Sequence, residues 1–428
     1  MIFCKKAGWG MALLFLCLIF GTGRTQKIEA AVQNVPESLE EESRLDTVGT
    51  DQETERAAVR EKKGQQEKEA GDTETDQAAA AQDELLAELD FDAIQQEVDS
   101  LLSSQQFSFA GTVRSLLQDG DPFRTFRAGN AVLSCAKTAF LAQKGLMKEL
   151  FLLVLAGAVL GSFSSLFEGK QVRDASFYMV YLLALALILK NFQSSGANLK
   201  AVITSLVAFM RILTPSYYLA AAAAGGASSA VMFYQMLLLV ILAVEKLLLA
   251  LVLPMIHIYL LIALVNDLSG EEILSHMTEL LETCVNGLLK SSLGVLVGMQ
   301  MIRNLIAPAL DSLRQMALWR TAGMIPGIGN AVNAVTELVA GSAVLIRNCF
   351  GVTAMLVLLA AGMVPAVQLL VSGLSFRLLA AAAQPVSDKR IAGCLAAAGK
   401  GYAMLLRLLL TVEVLFLLTI AILAGTFS

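Results

Sequence analysis

The sequence predicts an all-α, polytopic integral membrane helical bundle with two related repeat units, preceded by a signal peptide and a disordered acidic linker. Of the 428 residues, 56% are hydrophobic and only 16% are charged. The mean hydropathy is +0.64. Ordinary soluble domains have about 25% charged residues. A water-soluble fold cannot cover so much apolar surface, so the composition predicts a membrane protein. The repeat units are predicted because the same order of sequence features occurs twice along the chain.

The first 30 residues have the pattern of a signal peptide. Lys5 and Lys6 form a short positive region, residues 7–20 are apolar, and small residues come next at 21–23. This order is typical of exported chains. We predict a signal peptide over residues 1–30, with cleavage near Gly23 or Ala30; an uncleaved membrane anchor is the alternative.

An acidic stretch comes after the leader. Residues 24–100 contain 22 Asp/Glu and only 8 Lys/Arg. Residues 33–82 contain few aliphatic and no aromatic side chains, so they cannot bury enough surface to offset the entropy lost on ordering. We predict a disordered acidic linker over residues 31–82, without a structure of its own.

Residues 83–145 are predicted to be extracytoplasmic and to contain amphipathic helices. In the first helix the apolar residues recur at spacings of three and four, at Leu85, Leu86, Leu89, Ile94, Val98, Leu101 and Leu102. A second helix is expected over 107–117, ended by the turn residues at 119–122. Two interpretations stay open: the apolar faces pack against the membrane domain, or they dock a partner.

The membrane domain is predicted over residues 146–428. A helix needs about 20 apolar residues to cross a bilayer, and the candidates are 149–167, 175–192, 229–266, 286–306, 342–364 and 403–425. The third candidate is too long for one straight span, so we expect it to kink or split at Pro254. Three shorter stretches, at 198–213, 308–321 and 367–383, are expected to lie at the interface or to re-enter the membrane.

Two repeat units are predicted, at about 175–285 and 290–425. Each has an Asn after a basic residue, at Asn191 and at Asn304. Each unit then has two prolines 39 residues apart, Pro215 and Pro254 in the first unit and Pro326 and Pro365 in the second. The equal spacing predicts matched helix breaks at these four positions. Duplicated membrane units commonly place a functional surface at their interface; a larger bundle alone is the simpler interpretation.

Pairs of glycines predict close helix packing at two places. Gly157 and Gly161 form one pair spaced by four residues, and Gly294 and Gly298 form the other. Small residues at this spacing let helix backbones approach each other in membranes. The pattern is common in spanning helices, so it predicts packing without identifying a partner helix.

Charged residues inside apolar segments are the candidate intramembrane or interface residues. Each costs about 2.5–3.5 kcal/mol near the centre of a spanning helix, and the candidates are Glu245, Lys246, Glu337, Arg347 and Glu413. For Lys246, Arg347 and Arg407 the simplest interpretation is a side chain that reaches the headgroups. For Glu413 and Glu337, internal pairing and a pathway or subunit contact both stay open.

The motifs that enzymes use are missing from the sequence. The glycine-rich turn at 326–330 lacks the Lys-Ser/Thr of a phosphate-binding loop, only two histidines are present, and the six cysteines have no metal-ligand spacing. The basic residues lack the aromatic interleaving of a nucleic-acid surface. We therefore expect no enzyme, no catalytic or metal site, no cofactor and no nucleic-acid partner.

Three blocks resemble the stage III sporulation protein AE family: IPGIGNAV at 325–332, LIRNCFGV at 345–352 and QPVSDKRI at 384–391. The resemblance covers about residues 85–428. It implies a component of the specialised secretion-like channel between mother cell and forespore, located in the mother-cell membrane that faces the forespore. It also implies partners from the same operon, including a ring-forming subunit and a cytoplasmic ATPase, and a forespore-side partner. Membrane lipid and further copies of the chain are additional expected contacts.

A second function stays open from the sequence. A self-contained secondary transporter could use its two repeats for alternating access. Neighbouring sporulation genes would favour the channel, and movement of a solute by the purified protein in liposomes would favour the transporter.

Overall fold

The computed structural model describes residues 91–102, 107–119, 128–164, 170–223, 228–269, 274–322 and 329–425. The predicted signal peptide at 1–30, the predicted linker at 31–82 and Pro326 lie outside these residues. The described residues are almost entirely helical, and no strand occurs among them. The all-α prediction is confirmed for this part of the chain.

The helices, in chain order, are α1 (Phe91–Leu101), α2 (Phe109–Asp119), α3 (Ala128–Ser164), α4 (Lys170–Ala223), α5 (Ser228–Leu247), α6 (Leu253–Ser269), α7 (Ser275–Ala322), α8 (Gly329–Ala383) and α9 (Lys389–Gly425). A π-helical segment, Leu248–Val252, joins α5 to α6 without a break. Five stretches are long and apolar enough to cross a membrane: Phe177–Tyr217, Leu238–Ser269, Ser275–Met299, Ala343–Ala383 and Lys389–Ala421.

The long helices correct the predicted division into spans and shorter segments. Residues 175–192 and 198–213 both lie in α4, and residues 342–364 and 367–383 both lie in α8. The polar residues between these stretches interrupt the apolar pattern but do not interrupt the helix. Likewise, α3 runs through residue 145, so the predicted domain boundary at 145–146 does not coincide with the end of a helix.

The prolines do not end the helices in which they lie. Pro215 is inside α4 and Pro365 is inside α8, so the predicted helix breaks at these two positions are wrong. Near Pro254, the chain changes from α to π geometry, and the Leu253 N–H donates to the Leu248 carbonyl five residues before it. Of the predicted kink or split at Pro254, the split is wrong: the helix adjusts its hydrogen bonding and continues. Packed neighbours let membrane helices tolerate prolines in this way.

The first two helices form a hairpin whose connection is held by polar side chains. Gln95 on α1 donates from Nε2 to the Phe107 carbonyl at 2.7 Å, and its Oε1 accepts from the Phe109 N–H at 2.8 Å. Ser108 then caps α2, because its Oγ accepts from the Gly111 N–H at 3.1 Å. A side-chain oxygen at this position satisfies a donor that the first helical turn leaves free.

The apolar face of the hairpin packs against the bundle. Phe91 and Phe109 contact Phe350 on α8, with ring centroids 6.2 Å and 5.0 Å apart. Ile94, Val98, Phe109 and Val113 are fully buried. Of the two interpretations left open by the sequence, the packing face accounts for these side chains.

Helices α8 and α9 form an antiparallel pair in the core. Gly373 on α8 faces Tyr402 on α9, where a Cβ at Gly373 would lie 3.2 Å from the Tyr402 Cβ. From the α9 side of the same contact, a Cβ at Gly399 would lie 3.3 Å from the Gly373 carbonyl oxygen on α8. The small residues thus let the two backbones approach closely. Helix α4 packs against both members of this pair, and α6 packs against α9.

The order of the helices can be compared with the predicted repeat. Residues 175–285 comprise most of α4, then α5 and α6, and the start of α7, whereas residues 290–425 comprise the rest of α7, then α8 and α9. The first stretch has a long helix, a second long helical stretch and the start of a third helix, whereas the second stretch has part of a long helix followed by two whole helices. The relation between the two units stays a prediction.

Candidate functional site: a buried carboxyl between α8 and α9

Glu413 is the most deeply buried carboxyl among the predicted site residues that the structure describes. It lies on α9, its side chain is 2% exposed, and Val412 and Phe416 beside it are each 1% exposed. Its Oε1 has no hydrogen-bond partner among the described residues. The sequence analysis left open whether Glu413 pairs with another side chain inside the bundle. No such pairing is seen for Oε1 among the described residues.

A glycine on α8 makes the space for the Glu413 carboxyl. A Cβ at Gly362 would overlap both Oε1 and the carboxyl carbon of Glu413. Any other residue at position 362 would have to displace the carboxyl from this place. We call this space the Gly362 notch.

Pro365 lies one helical turn after Gly362 on α8. Proline has no N–H, so it cannot donate the usual helical hydrogen bond to the carbonyl four residues earlier, that of Ala361. The backbone beside the Gly362 notch therefore has an acceptor that lacks its usual helical donor. Pro365 was predicted as a helix break; instead, it changes the hydrogen bonding next to a buried acid.

Arg347 is buried at a different level of the bundle. It is 1% exposed, so its guanidinium does not extend from the protein surface as a headgroup-seeking side chain would. Arg347 precedes Gly362 by 15 residues, about 22 Å along a helix. The structure therefore does not bring Arg347 and Glu413 together.

Glu245 and Lys246 lie at the end of α5, immediately before the π-helical segment. Glu245 is half-buried and Lys246 is exposed. Arg211 on α4 and Lys246 are the cations that act electrostatically on Glu245. Arg407, in contrast, is exposed and donates to the Asn286 side chain on α7 at 3.0 Å. These charges form separate local groups away from the Gly362 notch.

The two predicted glycine pairs differ in their surroundings. A Cβ at Gly157 would lie 3.1 Å from Val180 on α4, whereas a Cβ at Gly294 or Gly298 would meet nothing within 4 Å among the described residues. The expected packing at Gly294 and Gly298 is therefore not present in the described part of the chain. Helix α7 packs through a different stripe, formed by Val285, Leu289, Ser292 and Leu296. The side-chain surroundings of Gly161 and Glu337 lie outside what the structure describes.

A second polar cluster was missed by the sequence analysis. Asn191 on α4 donates to the Tyr402 hydroxyl at 2.7 Å, and Ser195 Oγ lies 3.3 Å from the same hydroxyl. The Tyr402 ring stacks on Phe376 with centroids 5.2 Å apart. Asn191 was noticed in the sequence only as a marker of the repeat. Its partner Tyr402 is 211 residues away, so no local pattern connects the two.

Comparison with known proteins identifies the family. A profile of the family described as stage III sporulation protein AE matches residues 107–426. This chain belongs to the stage III sporulation protein AE family. The match begins just before α2 and extends beyond α9, so it includes both Gly362 and Glu413.

One curated relative in this family is the stage III sporulation protein AE of Bacillus subtilis (strain 168). It is 22% identical over 291 residues, which cover 67% of this chain and 73% of the relative. No solved structure matches the chain. Family membership supports a role in sporulation for this multi-pass membrane protein.

Proposed function

We propose that this chain is a membrane component of the specialised secretion-like channel between mother cell and forespore, needed for late forespore development during endospore formation. The observation that carries the proposal is the family match over residues 107–426. The five apolar helical stretches fit a part embedded in the membrane. A self-contained transporter is not favoured by this match.

The proposed location is the mother-cell membrane that faces the forespore, with the N-terminal region outside the cytoplasm. The leader at residues 1–30 supports export of the residues after it. The α1–α2 hairpin would then lie in the space between the two membranes. Because its apolar face is covered by α4 and α8, its polar face is the side available to a forespore-side partner.

The proposed role is to hold other channel proteins in place and to form part of the channel. This role involves no catalysed reaction and no cofactor. Its partners would be the ring-forming subunit, the cytoplasmic ATPase and the forespore-side protein that the family resemblance implies. Additional copies of the chain are a further expected contact.

Affinity purification from sporulating cells tests this proposal. The chain, tagged at its C-terminus, should retain the ring-forming subunit after crosslinking, in amounts that rise and fall with those of the bait. A tagged membrane protein of the same mother cell, unrelated to the channel, is the control. Retention no greater than that control, from cells that complete sporulation, would contradict the proposed subunit role.

A further inference from the structure

Glu413 sits where a carboxylate would need a counter-charge. It is 2% exposed, and its Oε1 has no hydrogen-bond partner among the described residues. No charged side chain in the described ranges acts electrostatically on its carboxyl. An isolated carboxylate in an apolar interior is costly, whereas the carboxylic acid is far less so.

The charged groups on the surrounding helices are exposed, interact with other groups or lie at other levels of the bundle. Helix α9 packs against α4, α5, α6, α7 and α8. On α4 and α5, Arg211 is exposed and acts on Glu245. On α6, the His257 ring Nδ1 lies 2.8 Å from the Leu253 carbonyl.

The charged groups on α7, α8 and α9 are also exposed, interact with other groups or lie at other levels of the bundle. On α7, Lys290 is exposed and Glu282 is half-buried; on α8, Arg377 is exposed. Arg347 and Arg377 lie 15 residues before and after Gly362. On α9 itself, Arg407 bonds to Asn286.

We infer that Glu413 is a proton-binding site inside the bundle, in the Gly362 notch. One proton adds to a carboxylate oxygen and forms an O–H bond. Release reverses this step, breaks only the O–H bond and returns the proton to solvent. The inference goes beyond the proposed function and does not rest on it.

Release would leave a bare carboxylate between α8 and α9. The pair would then have to admit water or separate, because the negative charge has no partner in the packed state. Proton binding thus favours the packed state of the two helices, and proton release favours a looser one. The notch couples the protonation of one side chain to the packing of the two helices.

Infrared difference spectroscopy of the full chain in lipid nanodiscs tests the site. Spectra between neutral and alkaline buffers, a range in which exposed carboxyls stay ionised, should show the C=O band of a protonated carboxyl that disappears at alkaline pH. Glu413→Gln should remove this band completely, while the control Glu245→Gln, at a half-buried acid of the same bundle, should leave it in place. No titrating band in the natural chain, or the same band in Glu413→Gln, would overturn the inference.

A second variant keeps the test decisive if Glu413→Gln does not fold. Glu413→Asp keeps the carboxyl but withdraws it from the notch, so the band should shift in frequency and in the pH at which it disappears. A band in Glu413→Asp that is identical to that of the natural chain would also overturn the inference.

Discussion

At the scale of single residues, a buried acid and a glycine from different helices fit together. Glu413 could be selected from the sequence, because long apolar runs flank it on α9. Gly362 could not, since 51 residues separate the two and only the antiparallel pairing of α8 and α9 brings them together. The same limit applies to Asn191 and Tyr402. Sequence patterns identify which residues are unusual, whereas tertiary packing decides which of them meet.

Replacing Gly362 tests the fit of the notch. We expect Gly362→Ala to lower the free energy of unfolding by about 1–3 kcal/mol, the typical cost of overpacking, because the new Cβ overlaps the Glu413 carboxyl. Gly294→Ala is the matched control: it has open space and should gain about 0.5–1 kcal/mol from the better helix propensity of alanine. Thermal unfolding midpoints in detergent measure both. Equal midpoints for the two variants would show that the notch does not constrain the acid.

The Tyr402 hydroxyl provides a second test at this scale. Tyr402→Phe removes the acceptor for Asn191 and leaves that amide donor without its partner, at a cost of about 1–3 kcal/mol. Tyr178→Phe, at a tyrosine that is 46% exposed, should change stability little. Chemical denaturation monitored by far-ultraviolet circular dichroism compares them. A Tyr402→Phe chain as stable as the control would refute a structural role for this bond.

At the scale of helices, long packed helices continue through residues that interrupt the apolar pattern of the sequence. Residues 198–213 and 367–383 were predicted to lie apart from the spans because they are amphipathic or rich in small residues, yet both continue the helix before them. Neighbouring helices keep their backbone hydrogen bonds sheltered, so a proline or a polar turn does not end them. The second amphipathic helix was predicted well: it was expected over 107–117 and is found at Phe109–Asp119. Its spacing and its turn residues are local signals that packing does not change.

Phe109 is expected to anchor the hairpin to the bundle. Phe109→Ala should cost about 3–5 kcal/mol, because the side chain is fully buried against Phe350. The α1–α2 hairpin should then be cleaved faster in limited proteolysis while the long helices stay intact. Phe140→Ala, at a side chain that is 56% exposed, is the control. Unchanged cleavage of the hairpin in Phe109→Ala would mean that other contacts hold it.

At the scale of the whole molecule, membrane class and family can be predicted from sequence, whereas orientation stays a prediction. Composition alone was enough for a multi-pass helical protein, and three short blocks of sequence were enough for the family. The repeat rests on matched residues whose second copy lies largely outside the described side chains. The predicted orientation depends on the predicted leader at residues 1–30.

A topology reporter tests the orientation. A reporter that is active only in the cytoplasm, fused near Gly120, should give no signal, because the predicted leader would export the chain up to α3. The same reporter fused to a truncated chain without residues 1–30 is the control and should be active. Strong activity of the first fusion would reverse the predicted topology.

The most direct test of the proposed channel role is rescue from one compartment at a time. In cells that lack the chromosomal gene, the chain is expressed under a promoter active only in the mother cell or only in the forespore, and a late forespore reporter is measured with the spore count. We expect mother-cell expression to restore both and forespore expression to restore neither. Normal spores without the gene, or rescue only from the forespore, would contradict the account.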